Sequence, residues 1–314
     1  MTRRPACVAI LGATATGKSD AAIAIARAID GEVVSMDSRQ VYRGLEIGTA
    51  QVRPEARCGV THHLMGHVDP SLAWSAGSHS RAAHAIIDDI CRRGRVPVLA
   101  GGTGLYFRAL FDGIVDVHIP AAEQRAMRAR LADEPNAVLY ARLCRRDAAR
   151  AAHLAPNDRV RVVRALELIE WTGRPVTELF AREHGLMLDA RVLRVVLTMP
   201  RAALRERIAR RTRTLFTCGW VEEVRALLNS GLDETSPGMH SLGYREIAAV
   251  VRGQMDEDEA LTRIIAATRR YAKRQETFFR SERGALWTDV TGSHSTDGLI
   301  RLARQWTTPN CMLT

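Results

Sequence analysis

Gly12-Ala13-Thr14-Ala15-Thr16-Gly17-Lys18-Ser19 is the stretch whose reading decides the fold. It fits the pattern G-x-x-x-x-G-K-[ST] in full. Residues 6–11 before it are a short apolar run that reads as a buried strand, and residues 18–29 after it are rich in Ala and Ile and read as a helix that Gly31 ends. In that context the glycines let the chain wrap one anion closely, so that successive backbone N–H groups point at it. The head of the following helix adds partial positive charge. Gly12, Ala13, Thr14, Ala15, Thr16 and Gly17 then supply the cradle, Lys18 a mobile charge for the terminal phosphate, and the Ser19 hydroxyl a ligand for Mg²⁺.

Working outward, residues 32–36 read as a second strand, residues 81–93 as a helix, and Val96–Ala100 as another buried strand leading into Gly101 and Gly102. Alternation of this kind predicts an α/β fold with a parallel sheet covered by helices. Its ligands belong beyond the carboxyl ends of the strands. After residue 119 the pattern changes. Residues 121–185 are helical in composition, with breaks at Pro135, Pro156 and Gly173–Pro175. Strand character returns over residues 192–198, long helices follow over 202–230 and 257–283, and a last strand is expected over 285–290. The expected organisation is a core (1–118), a helical insertion (119–190) and the second part of the core with C-terminal basic helices (191–314). The tail from Thr307 is expected to fray.

The 314 residues are 46% hydrophobic and 25% charged, an ordinary globular composition. A net charge of +10 favours an anionic partner, nucleic acid or polyphosphate, without naming one. The six cysteines, Cys7, Cys58, Cys91, Cys144, Cys218 and Cys311, contain no C-x-x-C and read as free thiols in a reducing compartment. Cys58, His62, His63 and His67 loosely resemble metal ligands, but four ligands at finger-like separations are lacking. A polar loop or edge strand is the simpler reading. No signal-peptide pattern opens the chain and no stretch approaches ~18 uninterrupted apolar residues. The expected location is the cytoplasm, with no membrane partner.

Four further segments carry chemistry. Asp37-Ser38-Arg39-Gln40 closes the second strand, so its carboxylate is aimed at the ligand crevice as a general base or an orienting group. Gly101-Gly102-Thr103-Gly104-Leu105-Tyr106 allows close backbone approach and offers the Thr103 hydroxyl at the same rim. Six arginines lie between residues 201 and 213. Of these, Arg207 and Arg211 are four apart beside the apolar stripe Leu204, Ile208 and Leu215, placed to clamp one anion. Residues 269–280 interleave basic and aromatic side chains, a pattern that suits RNA backbone and splayed bases, and equally a basic amphipathic helix. None of this names the phosphate compound. A kinase using ATP and a non-catalytic RNA-binding P-loop module both remain open, although no acid follows Val96–Ala100 where many P-loop nucleotidases hold magnesium.

Taken in order, these pieces resemble the bacterial tRNA dimethylallyltransferases. The matching stretches are Gly12–Ser19, DSRQVYRGLEIGTA (37–50), His62–Leu64, GGTGLY (101–106), NDRVRVVRALE (157–167), Gly243–Arg245 and AKRQETFFR (272–280). The resemblance implies a P-loop-kinase-like core with a helical insertion, acting as a monomer with Mg²⁺ on the anticodon stem-loop of tRNA. The loop would hold the pyrophosphate of dimethylallyl diphosphate. By position, Lys18, Ser19 and Arg207 would serve the donor, with Ser19 on the metal; Arg211 joins them by its spacing from Arg207. Asp37 would be the general base, and Thr103 would lie at the target base, adenosine 37. The tRNA-contacting positions it implies are Asp37, Ser38, Arg39, Gln40, Thr103, Arg125, Val160, Arg161, Val162, Val163, Arg164, His240, Ser241, Leu242, Gly243, Tyr244, Arg245, Lys273, Arg274, Gln275 and Arg280. Departures are few. Thr16 stands where serine is common, Phe278 where tryptophan is common, and Gly77-Ser78-His79 where Ala-Asp-Phe is usual.

Overall fold

The computed structural model describes residues 4–183, 189–282, 284–292 and 295–308. In chain order its elements are β1 (Ala6–Gly12), α1 (Lys18–Ala28), β2 (Gly31–Ser35), β3 (His62–His63), α2 (Ala76–Arg92), β4 (Val96–Ala100) and α3 (Gly104–Phe111). Then come α4 (Ala121–Ala132), α5 (Asn136–Arg146), α6 (Ala148–Ala152), α7 (Arg159–Thr172) and α8 (Val176–Glu183). The chain continues with β5 (Arg191–Thr198), α9 (Arg201–Thr217), α10 (Trp220–Asn229), α11 (Tyr244–Val251), α12 (Glu257–Phe279), β6 (Leu286–Asp289) and α13 (Ser295–Thr307).

The strands form one sheet in the order β3-β2-β4-β1-β5-β6, and every pairing is parallel. β1 lies inside, paired with β4 from Val8–Val98 to Ile10–Ala100 and with β5 from Ala6–Arg191 to Gly12–Leu197. Its run Cys7–Leu11 is buried throughout, as expected of a parallel strand covered on both faces. Small residues on α1 (Ala22, Ala26) with Ile25 pack on Val8, Ile10, Val33, Val98 and Val195, and Leu299 and Ala303 of α13 close the same cluster. Each large apolar side chain so buried contributes about 1.5–3 kcal/mol. Because all strands run the same way, the chain leaves β1, β2 and β4 at one edge, and the glycine-rich loop, Asp37 and Thr103 follow those three strands.

A buried charge is built into this sheet. Glu32 of β2 is buried, yet it accepts from Arg93 (Nη2 at 2.8 Å, and Nη1), from Arg95 Nη1 at 3.0 Å, and faces His63 Nε2 of β3 at 2.7 Å. The hydrogen bonds from Arg93, aided by His63 and Arg95, hold its carboxyl far below the usual carboxylate range in spite of desolvation.

The chain divides into two compact units. The first comprises Met1–Ser75, His79–Phe107 and Asp189–Thr314; the second comprises Ala76–Ser78 and Arg108–Leu188. The second unit has its own apolar core, with Leu139, Leu143, Leu166 and Ile169 at its centre. Arg159 donates to the carbonyls of Leu131, Ala132 and Glu134 and to Asn136 Oδ1, at 2.6–2.8 Å, and so satisfies the open carbonyls at the end of α4. Buried Glu167 accepts from Arg128 Nε (2.6 Å), Arg164 Nη1 (3.0 Å) and Gln124 Nε2 (3.1 Å).

The strands at 6–12, 31–35, 96–100 and 191–198 fall within a residue of expectation. The helix expected over 202–230 is broken in two. Gly219, at φ 95°, starts α10 in a new direction after α9 ends at Thr217. Helices α11 and α13 were not foreseen. His62 and His63 lie on the edge strand β3, with His63 on Glu32 and His62 Nδ1 2.9 Å from Val60 O. Cys7, Cys58, Cys91, Cys144 and Cys218 are free. Cys311, most of the tail, Gly185 and Arg283 lie outside the described residues.

Candidate active site

The loop after β1 turns through left-handed backbone at Ala15 (φ 66°) and Gly17 (φ 91°), and Gly12 also has positive φ (138°). A Cβ at Gly12 would stand 2.6 Å from Leu197 O, so only glycine lets the loop leave the sheet here. Alternating hand turns successive N–H groups inward and makes an anion nest. Thr16 Oγ1 (2.8 Å) and Lys18 Nζ (2.6 Å) both donate to Ala13 O, which folds the ammonium back over the nest. Desolvation pushes the Lys18 ammonium down to about 8; Asp37 opposes that shift and Arg211 adds to it.

Arg207 and Arg211 reach the same place from α9. Arg207 lies beside Gly17, where a Cβ would stand 3.5 Å from Nη2. Arg211 Nη1 donates to Thr14 Oγ1 at 3.3 Å, and burial lowers its basicity against the pull of Asp37. Both line a cavity of about 600 Å³ with Gly17, Lys18, Ser19 and Asp37. The two arginines expected to act as a pair thus face one cavity. Arg201, Arg205 and Arg213 are exposed.

Asp37 lies two residues beyond β2. Its Oδ1 accepts from the backbone of Arg39 (2.8 Å) and Gln40 (3.4 Å), an Asx turn that fixes the carboxylate. Thr103 Oγ1 accepts from Ser38 N at 3.0 Å and lies 3.3 Å from Ser38 Oγ, which ties the third rim segment to the second. Tyr271 of α12 hydrogen-bonds Thr103, and its hydroxyl is pushed up to about 12, first by burial and then by Asp37. From the same helix Gln275 spans two loops. Its Oε1 accepts from Thr14 N at 2.8 Å and its Nε2 donates to Gly102 O at 2.9 Å.

A second, smaller cavity of about 90 Å³ adjoins the first. Thr14, Ala15, Asp37, Thr49, Arg211 and Leu215 line both. The smaller one is polar around Asp37, Arg39 and Tyr271 and apolar at Ile208, Trp220, Leu242 and Ile264. The loop that brings Thr49 here is held by Glu223 of α10, whose carboxylate accepts from the N–H groups of Glu46 (2.7 Å), Ile47 (2.5 Å) and Gly48 (3.1 Å) and from Tyr244 Oη (2.6 Å). Trp220 and Glu223 are not marked in the sequence. No local pattern distinguishes them from ordinary residues in the first turn of a helix. Tyr271 lies within the basic–aromatic segment, where nothing local singles it out.

The expected RNA-contacting positions divide by exposure. In the first unit His240, Arg245, Lys273, Arg274 and Arg280 are exposed, while Ser38, Arg39, Gln40 and Leu242 are half-buried. Arg274 lies over the Tyr271 ring, 5.7 Å from its centroid. Ser241, Gly243, Tyr244 and Gln275 are buried. The side chains of Tyr244 and Gln275 are committed to packing and to internal hydrogen bonds, which corrects the expectation that they face RNA. In the second unit Arg125, Val160 and Arg161 are exposed, Val163 and Arg164 are half-buried, and Val162 belongs to the apolar core. Phe278, where tryptophan is common, lies against Gly104, so its ring packs on the glycine-rich turn. His79 stacks on Tyr106 (3.9 Å between centroids, 19°) and burial pushes it down to about 3, so it is a neutral packing ring.

Among the described residues no group of three or more His, Cys, Asp or Glu side chains could hold a metal ion by itself. Ser19 and the carboxylates of Asp20 and Asp37 do line the large cavity. One hydroxyl with carboxylates at a distance fits Mg²⁺, which keeps waters and takes phosphate oxygens as ligands rather than a full protein cage.

A parallel sheet with an amide nest after an inner strand, and a carboxylate after its neighbour, defines a P-loop α/β protein. The family described as IPP transferase matches residues 40–282, and the isopentenyl transferase family matches residues 5–61. The chain belongs to the IPP transferase family. It is 42% identical over 308 residues to a tRNA dimethylallyltransferase of Symbiobacterium thermophilum, covering 95% of each chain. Among solved structures it is similar to the full-length tRNA isopentenylpyrophosphate transferase of Bacillus halodurans (32% identity, TM-score 0.71, 97% of each chain). It is also similar to a eukaryotic dimethylallyltransferase acting on tRNA (25% identity, TM-score 0.78, 95% of this chain and 77% of that one).

Proposed function

We propose that this chain transfers a dimethylallyl group from dimethylallyl diphosphate to the exocyclic N6 amine of adenosine 37 in tRNA, releasing pyrophosphate. The observation that carries the reading is the shared wall of the two cavities. On one side stand the amide nest, Lys18 and Arg207; on the other stand Arg39 and Tyr271; Asp37 and Arg211 border both. A donor gripped by its diphosphate in the larger cavity has its allylic carbon at that wall. A base that stops at the polar rim of the smaller one, at Asp37, Arg39 and Tyr271, brings its amine to the opposite face of that carbon and leaves the apolar half of the cavity to the prenyl tail.

The chemistry follows from charge. The allylic C–O bond breaks, its electron pair leaves with pyrophosphate, and the amine nitrogen forms the new C–N bond. The nest, Lys18, Arg207 and Arg211 stabilise the departing charge; one such fixed donor is worth on the order of 10²–10³ in rate. Mg²⁺ held at Ser19 would neutralise further diphosphate charge. The amine becomes acidic as it bonds to carbon, and Asp37, held by its turn, takes the proton, a step worth about 10²–10⁴. The target base lies in a loop and must be extruded to reach this depth. The exposed cations Arg245, Lys273, Arg274 and Arg280, with Arg125 and Arg161, suit the phosphate backbone. We read the enzyme as a cytoplasmic monomer, as the family resemblance implies.

The test is incubation of purified protein with unmodified tRNA, Mg²⁺ and either dimethylallyl diphosphate or ATP, followed by mass analysis of the nucleosides. Isopentenyladenosine with the prenyl donor alone is the expected product. Phosphoryl transfer from ATP with no prenylated nucleoside would replace this reading with the kinase.

A further inference from the structure

The smaller cavity has an end wall that the reaction itself does not require. Trp220, the first residue of α10, is 1% exposed and forms part of the apolar lining with Ile208, Leu215, Leu242 and Ile264. Glycines stand on two sides of its indole. A Cβ on Gly48 would fall inside the indole at Nε1, and one on Gly243 would fall inside it at Cη2. Phe216 and Tyr244 close on the ring edge-to-face, at 5.7 and 5.8 Å between centroids. The Glu223 carboxylate binds both Gly48 N and Tyr244 Oη, which fixes two of these four neighbours to α10 itself. An indole held this way has no rotamer to yield into.

We propose that Trp220 is the specificity-determining stop for the length of the prenyl donor, the apolar half of the cavity taking a five-carbon tail and the clamped indole barring a ten-carbon one. This rests on the reading of the chain as a prenyltransferase. Size supports it. The cavity of about 90 Å³ is smaller than the ~150 Å³ space that takes benzene, so it has room for roughly five carbons. Polarity supports it too. Gly17, Lys18, Ser19 and Arg207 line only the larger cavity, while Ile208, Trp220, Leu242 and Ile264 line only the smaller, so the diphosphate and the hydrocarbon have separate places. Tail length is therefore set by the apolar residues that line only the smaller cavity.

The experiment compares dimethylallyl and geranyl diphosphate as donors to the same tRNA, by kcat/KM, for the wild type, Trp220→Leu and Ile264→Ala. The wild type is expected to favour the five-carbon donor by at least 10²-fold. Trp220→Leu should shift the ratio at least tenfold toward geranyl. Ile264→Ala, which enlarges the same wall from α12 while the indole stays in place, should shift it less. Variants that keep dimethylallyl transfer with an unchanged ratio would overturn the inference. A wild type that transfers neither prenyl group would overturn the functional reading instead. If Trp220→Leu fails to fold, as judged by its thermal transition, Ile264→Ala alone decides, since an unshifted ratio there removes the cavity as the tail site.

Discussion

Gln275 Oε1 accepts a hydrogen bond of 2.8 Å from the backbone N–H of Thr14, across 261 residues of sequence. Since its amide nitrogen is engaged by Gly102 O, one side chain fixes the spacing of the anion nest from the Thr103 loop. Gln275→Ala leaves the half-buried Thr14 N–H and the buried Gly102 C=O without this partner, at about 1–3 kcal/mol for the buried group. The expected result is a raised KM for the prenyl diphosphate and a fall in kcat on the order of 10-fold, with tRNA affinity within about threefold of wild type. Gln275→Glu keeps the acceptor for Thr14 and should restore part of the donor KM. Steady-state kinetics with each substrate varied in turn reads the difference.

Lys18 gives a pH signature. Its folded-state value of about 8 lies below the unfolded 10.5, so the unfolded chain binds more protons between those limits. The cost of burying this charge is present below pH 8 and is relieved as pH rises toward 10.5. For donor capture the sign is opposite, because only the ammonium attracts diphosphate. The expected kcat/KM for the donor falls as pH rises through about 8. Lys18→Arg, which stays charged, should be slower throughout and lack that limb. A wild-type profile flat from pH 6.5 to 9.5 would show that the charge on Lys18 plays no part in donor capture.

Asp37→Asn separates proton transfer from structure better than truncation does. Its amide oxygen can still accept from Arg39 N and Gln40 N, so the turn survives, whereas alanine removes both bonds. Prenyl transfer by Asp37→Asn should drop by about 10² or more, with tRNA binding unchanged within severalfold. Wild-type turnover in this variant would remove Asp37 from the mechanism.

Glu32 bears on stability alone. Its folded-state carboxyl is depressed, so its contribution is fully present above the unfolded value of 4.5 and is lost as pH falls below that. The melting temperature of the wild type should decline steeply through this acid range. Glu32→Gln removes the charge shared by Arg93 and Arg95; both are partly exposed and keep Asp89 and Asp30, so the loss should be about 1–3 kcal/mol at neutral pH. Its acid slope should be shallower, as a pH series of thermal melts reads directly.

Much of the architecture was legible because it is local. β1 and β4 are apolar runs ended by glycine, and the phosphate loop, Asp37 and Thr103 each follow a recognisable strand. The pairing of Arg207 with Arg211 followed from helical spacing. What escaped reading depends on distance or on a single residue. Gly219 splits a stretch whose composition is helical from end to end. β3 has two residues, both histidine, and exists because Glu32 and β2 offer them partners. Gln275 looks like any polar residue in a basic helix until Thr14 and Gly102 are brought to it. Trp220 and Glu223 acquire meaning only when Gly48 and Gly243 close around them.

The carboxylate of Glu223 sits among three consecutive backbone amides, those of Glu46, Ile47 and Gly48. The polypeptide thus contains two clusters of inward-facing N–H groups, and it treats them oppositely. Folding neutralises the first with an acid carried by the chain, at no cost in translational freedom and independent of any solute. The second, between Gly12 and Ser19, gives its Thr14 and Thr16 N–H groups neutral partners, Gln275 Oε1 and Ala13 O, and not a carboxylate. An incoming anion therefore competes with no acid of the chain at these two positions.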